Sequence, residues 1–181
     1  MQGELFDRVV FTGNARQLAD CFPGVDELRP FLPQISALRS HGTTSVLCRI
    51  DPNGYSWIYM PSPDHRSHRI ICTGNFSRNN NNGDITTATI EFSEQMTEEE
   101  IRRQLELIPF SPSYLAHHWE EYTYPVQDAS SRALIRELKE RLEPRGIYLL
   151  GRFAEWEYYN MDAAIGAAMD LDKRLDAELQ P

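Results

Sequence analysis

Leu149-Leu150-Gly151-Arg152-Phe153-Ala154-Glu155-Trp156-Glu157-Tyr158-Tyr159-Asn160-Met161-Asp162-Ala163-Ala164-Ile165 is the stretch that decides the fold of this chain. It continues a short apolar run, Ile147-Tyr148-Leu149-Leu150, of buried-strand type. Gly151 lets the backbone turn, or lets another molecule approach closely. An arginine and an aromatic segment follow. Asn160 is a good N-cap, and Asp162 falls in the first turn of the new helix, where negative charge suits the helix dipole. Such a helix aims free N–H groups back past Arg152, Tyr158 and Tyr159, an end suited to a phosphate or an electron-rich ring. An ordinary strand–loop–helix with a solvated arginine accounts for the same residues.

Upstream of this stretch, Leu134, Ile135, Leu138 and Leu142 give one apolar face to a helix that Asp128 or Ser130 caps and that Pro144 and Gly146 stop. Downstream, the helix from Met161 to about Leu175 carries Ala163, Ala164, Gly166, Ala167 and Ala168, small enough for very close packing. At the other end of the chain, Leu5 to Phe11 is β-rich and apolar. Asn14 caps a short helix that Pro23-Gly24 ends, and residues 25–37 make a connection with a helical turn.

The middle of the chain reads as antiparallel sheet. Thr43–Ile50 is a strand, Asp51-Pro52-Asn53-Gly54 a hairpin turn, and Tyr55–Met60 its return strand. His68–Thr73 and Ile85–Phe92 are further strands, with a polar asparagine-rich loop at 79–83 between them. Thr97 with Glu100 forms a capping box for a helix bearing Ile101, Leu105 and Leu107. Tyr114–Tyr122 is another strand, on which His117 and His118 point to opposite faces and so do not share a metal.

Composition bounds the function. The chain has 181 residues, 41% hydrophobic and 25% charged, with a formal net charge of −9. That is ordinary globular composition, and the acidity argues against a nucleic-acid backbone as partner. Cys21, Cys48 and Cys72 are widely spaced and odd in number, so they suggest neither a disulfide framework nor a zinc site, but reduced thiols in a cytoplasmic protein. No run has the length of a membrane helix, and no signal peptide is expected.

Gly151-Arg152, Tyr158 and Asn160-Met161-Asp162, followed by a small-residue helix, resemble the C-terminal flavin-binding motif of UDP-galactopyranose mutases and of their amine-oxidase-like FAD relatives. Glu121-Tyr122-Thr123-Tyr124-Pro125-Val126-Gln127-Asp128 is similar to their Tyr-Pro-Val/Ile-Asn-Asp segment. His68-Arg69-Ile70 and Val10-Phe11-Thr12-Gly13 are weaker matches, to Thr-Arg-Ile and to a Tyr-Thr-Gly strand end. All four occur in the family's order, and residues 120–165 carry the specific part.

The resemblance implies an α+β fold: a mainly antiparallel sheet with flanking helices, plus the C-terminal part of a FAD-binding α/β domain. Residues 1–15 would give that domain a strand, 16–125 the substrate-binding sheet and helices, and 126–181 its C-terminal segment. No Gly-x-Gly-x-x-Gly loop follows any strand, whereas the family opens with one to hold the FAD pyrophosphate. The chain therefore resembles only the C-terminal portion of such a protein, and FAD binding is expected in the full-length context and weak or absent in this chain alone.

By the same resemblance, Arg69, Tyr124, Arg152 and Tyr158 bind the diphosphate of a UDP-sugar, while Gly151, Arg152, Asn160, Met161 and Asp162 bind the cofactor. Asn160 stands where the mutases mostly have aspartate, a departure that touches mutase activity more than flavin binding. The implied reaction contracts UDP-galactopyranose to the furanose in surface-polysaccharide synthesis. Reduced FAD carries the hard chemistry, and no protein nucleophile is required. Two alternatives stand beside it: another amine-oxidase-like FAD oxidoreductase, and a non-catalytic binding fragment. The expected partners are a nucleotide sugar and either the missing N-terminal half or a second copy, with no nucleic acid and no membrane.

Overall fold

The computed structural model describes residues 6–80 and 85–179. Leu5, most of the asparagine-rich loop and the last two residues of the tail lie outside the described residues. The chain divides into two compact units, residues 1–40 with 124–181, and residues 41–123. The second unit is thus an insertion into the first.

In the first unit, β1 (Val9–Phe11) pairs in parallel with β7 (Ile147–Leu149), Val9 opposite Ile147 and Phe11 opposite Leu149. The Val9 N–H donates to the Gly146 carbonyl and the Leu150 N–H to that of Phe11, at 2.7 and 3.0 Å. Gly146 has φ +75°, and a Cβ on it would collide with the Asp7 carbonyl, so only glycine lets the chain leave the preceding helix and enter β7 here.

That preceding helix is α4 (Ala129–Leu142). Its N-cap, Asp128, accepts from the Ser131 N–H, while the Ser131 hydroxyl caps the Asp128 N–H in return. Its apolar stripe, Leu134, Ile135, Leu138 and Leu142, joins Leu18 of α1 (Leu18–Cys21), Ile35 of α2 (Leu32–Ser36) and the strand residues Ile147 and Leu149 in one core. Residues 16–40 therefore pack with the chain ends. The final helix, α5 (Met161–Leu179), leaves Met161, Ile165 and Met169 exposed in one stripe.

Among the described residues the second unit holds an antiparallel sheet in the order β3-β4-β5-β2-β6. Its strands are β2 (Ser40–Ile50), β3 (Trp57–Tyr59), β4 (Ser67–Ile71), β5 (Thr86–Phe92) and β6 (Ser113–Pro125). Val46, Ile90, Ile70 and Ile58 fall in one row and face inward. They bury against Ile101 and Leu105 of α3 (Glu98–Leu105), which starts at the expected Thr97–Glu100 capping box. Leu107 lies beyond the helix and is exposed. Cys48 and Cys72 sit in this core, and burial pushes the Cys48 thiol up to about 12.

The expected hairpin between β2 and β3 does not form. β2 pairs with β5, and β3 pairs with β4 at the far edge of the sheet. Neither Asn53 nor Gly54 takes the positive φ that a two-residue hairpin turn of the Asn-Gly kind needs. The Asn53 side chain is used otherwise. It accepts from the Tyr55 N–H at 3.0 Å, while Asn75 donates to the Asn53 and Tyr55 carbonyls, holding an open crossover in place of a tight return.

Candidate functional site

The turn between β7 and α5 is built on a buried carboxylate. Glu155, only 7% exposed, accepts from the Gly151 N–H at 2.8 Å and from Lys139 of α4 at 2.6 Å. Gly151 takes φ +96°, a backbone conformation that side chains disfavour, and a Cβ there would meet nothing within 4 Å. The turn is thus tight in its backbone and open on its outer side.

Trp156 completes the turn. It is fully buried, its indole N–H donates to the Val126 carbonyl, and it is held at φ +52°. A bulky residue in the left-handed region costs about 1–2 kcal/mol, sustained here because the ring is locked edge-on against Phe153 at 5.7 Å. Gln127 donates to the Trp156 carbonyl and to the Glu157 carboxylate, tying the segment after β6 to the same turn.

On this support stand three of the four residues expected to hold a diphosphate. Tyr124, at the end of β6, stacks on Tyr158, with ring centroids 4.8 Å apart and planes 14° from parallel. The Arg152 guanidinium carbon lies 4.8 Å from the Tyr124 ring centroid and 5.8 Å from that of Tyr158. Arg152 donates through Nε to the Tyr159 carbonyl at 2.9 Å, and through Nη2 to the same oxygen. The guanidinium is thereby fixed in orientation, with its charge against two aromatic faces. Tyr158 remains half exposed.

The cofactor candidates Asn160, Met161 and Asp162 follow this cluster in sequence. Asn160 precedes α5, and its carbonyl accepts the Ala164 N–H at 3.0 Å. Met161 is 85% exposed and Asp162 is exposed, so the first turn of this helix presents an uncovered end. Burial, with Glu155 and Glu157 nearby, pushes the Tyr159 hydroxyl up to about 12, which keeps it protonated.

Arg69 belongs to the second unit, where its guanidinium pairs with Glu91 directly opposite on β5 and lies 5.0 Å from the Trp57 ring centroid. His68 reaches the same carboxylate at 3.5 Å. Burial pushes the Glu91 carboxyl up, but His68 and Arg69 together outweigh it and hold it below the usual range. Tyr59, Arg69, Glu91 and Ser45 form a row on the outward face of the sheet.

Glu155, Trp156, Gln127 and Glu91 were not among the residues expected to matter from sequence. A lone glutamate inside an aromatic segment gives no local hint that it will cap a glycine four residues earlier. Glu91 carried one signal, a charge at an outward position of a β-rich strand.

No protein-family model matches the chain, and no curated protein matches it by sequence. Solved structures do share its fold. One is reduced UDP-galactopyranose mutase, with a TM-score of 0.69 and 19% identity over 84% of this chain and 37% of that one. A CLA-producing fatty acid isomerase from P. acnes aligns with a TM-score of 0.60 and 16% identity over 93% and 41% of the two chains. An oxidoreductase from Methanosarcina mazei aligns at 0.54 and 11% over 81% and 37%. The chain therefore spans about two fifths of the length of these structures. At these identities the likeness is one of fold, and it matches the expected α+β class.

Proposed function

We propose that this chain is the diphosphate-binding portion of a cytoplasmic flavoprotein of the UDP-galactopyranose mutase type, which isomerises a nucleotide sugar for surface-polysaccharide synthesis. The observation that carries this is the Tyr124–Arg152–Tyr158 cluster. A guanidinium fixed by a backbone carbonyl and two phenols stacked beside it offer charge and hydroxyl donors to one anionic group. The likeness to the mutase structure supports the frame in which these residues stand.

The residues present also fit one edge of a flavin. Gly151 leaves open space where a side chain would project, and α5, 19 residues long, presents an exposed N-terminus with Asn160, Met161 and Asp162 at its head. FAD, when bound, would supply the electron-rich centre for the isomerisation, and this chain's residues would orient it and the diphosphate. The pyrophosphate of FAD would fall to polypeptide outside this chain. Among the described residues β1 and β7 form a two-stranded parallel sheet, whereas parallel sheets are covered on both faces. The exposed stripe Met161, Ile165 and Met169 suits cover by the dinucleotide-binding half of the protein.

A general amine-oxidase-like oxidoreductase is the second reading, favoured by Asn160 in place of the mutase aspartate. The test is calorimetric titration of the purified chain with UDP and, separately, with uridine. Phosphate-dependent binding of UDP is expected, with a protein isolated free of stoichiometric flavin. UDP binding no better than uridine would remove the diphosphate reading. A yellow protein would show that the pyrophosphate site is built in some other way.

A further inference from the structure

β6 ends the sheet order, with no described strand beyond it. It runs for 13 residues, long against the usual 3–10 or so for a strand. Leu115, Ala116, His117, His118, Glu120 and Glu121 are all exposed, on both faces. Sheet edges are normally blunted by lysine, proline or a short strand, because their unpaired N–H and C=O groups are a template for another chain. Between Ser113 and Tyr124 there is neither lysine nor proline.

The strand also lies close on its neighbour. Trp119 lies over Gly42 of β2, where a Cβ would collide with the indole and sit 2.8 Å from the Glu120 carbonyl oxygen. The aromatic ring thus fills the place of a missing side chain and fixes the middle of the edge.

The charge order about that tryptophan is antisymmetric: His117, His118, Trp119, Glu120, Glu121. We propose that β6 pairs antiparallel with β6 of a second copy of this chain, about a two-fold axis at Trp119. In that register His118 stands opposite Glu120 and His117 opposite Glu121, and the symmetry repeats each pair. Parallel pairing in register would instead oppose histidine to histidine and glutamate to glutamate. Within one chain His118 and Glu120 already approach to 3.8 Å, so both side chains reach across this spacing on the same face. An imidazole can donate to a carboxylate in either protonation state, so the match does not depend on histidine charge. Glu120 now accepts from the Tyr122 N–H of its own strand at 3.2 Å, a bond that pairing exchanges for His118 of the second copy.

Sedimentation equilibrium at micromolar concentration tests this on the whole chain. The wild type is expected to dimerise. His117→Glu with His118→Glu places glutamate opposite glutamate, and separately Glu120→Lys with Glu121→Lys removes both carboxylate acceptors that the histidines face. Each double variant should weaken self-association about tenfold or more. All four side chains are exposed, and circular dichroism checks that both variants fold. An equimolar mixture of the two should restore a dimer, because each supplies the charges the other lacks. A monomeric wild type overturns the proposal. So does a dimer that both reversals leave unchanged, which would place the contact on another face.

Discussion

Tyr124 and Tyr158 stack with their rings 4.8 Å apart, one at the end of a long strand and the other beyond a turn closed by buried Glu155. Neither ring is fixed by its own segment alone. Trp156 bonds to Val126 and Gln127 bonds back to Trp156, so the strand end and the turn are laced together beneath the pair.

This lacing makes distinct predictions for the cluster's members. Arg152→Ala should weaken UDP binding about ten- to hundredfold, the loss of a charged donor to phosphate. Arg152→Lys should recover only part, since it cannot hold the Tyr159 carbonyl through two nitrogens of one plane. Tyr158→Phe keeps the stacked ring and loses one hydroxyl, so its effect should be milder than that of Tyr158→Ala. Calorimetry with UDP reads all four variants, and equal losses for Tyr158→Phe and Tyr158→Ala would mean that stacking contributes nothing.

Arg69 is expected to contribute to stability through Glu91 whatever it does for a ligand. Arg69→Met leaves a largely buried carboxylate with His68 as its remaining partner, and should cost up to about 3 kcal/mol in urea unfolding. Adding Glu91→Gln should return much of that loss. The double variant then separates the roles. UDP affinity that stays low in the double variant assigns Arg69 to the ligand, and affinity at the wild-type level confines it to the ion pair.

Acid should act on the start of α4. Hydrogen bonds from Ser130 and Ser131 hold the Asp128 carboxyl down to about 2, below its unfolded value. A depressed carboxylate adds stability that is complete above roughly pH 4 and is lost as pH falls through about 2. Asp128→Asn keeps an oxygen acceptor for the cap but does not titrate, so its unfolding free energy should fall less steeply across that window. Parallel acid profiles for the two proteins would show that the cap bond is not maintained.

Local chemistry made much of this protein legible. The Thr97–Glu100 capping box, the cap at Asp128, the stop at Gly146 and the four apolar positions of α4 depend on neighbours within a turn or two of helix, and each stands where the residues put it. The Gly151–Asp162 stretch likewise announced a strand, a turn and a fresh helix, because glycine and the helix start act over a few residues.

Strand partnership was decided elsewhere. Asn53-Gly54 carries a strong hairpin signal, but β2 finds a longer inward row in β5, Val46 against Ile90 and Cys48 against Ala88, and that burial outweighs a two-residue turn preference. The grouping of residues 16–40 with the chain ends has the same origin, since Leu18, Leu28 and Ile35 meet α4 only through tertiary packing. Arg152, Tyr124 and Tyr158 could each be named from sequence, yet their stacking rests on Glu155 and Trp156 reaching across the fold. The sequence by itself determined where the helices at Thr97 and Asp128 start and the glycine that ends the latter. Tertiary structure alone decided which strands pair and which donors converge, because those depend on burial between residues far apart in the chain, which no local pattern encodes.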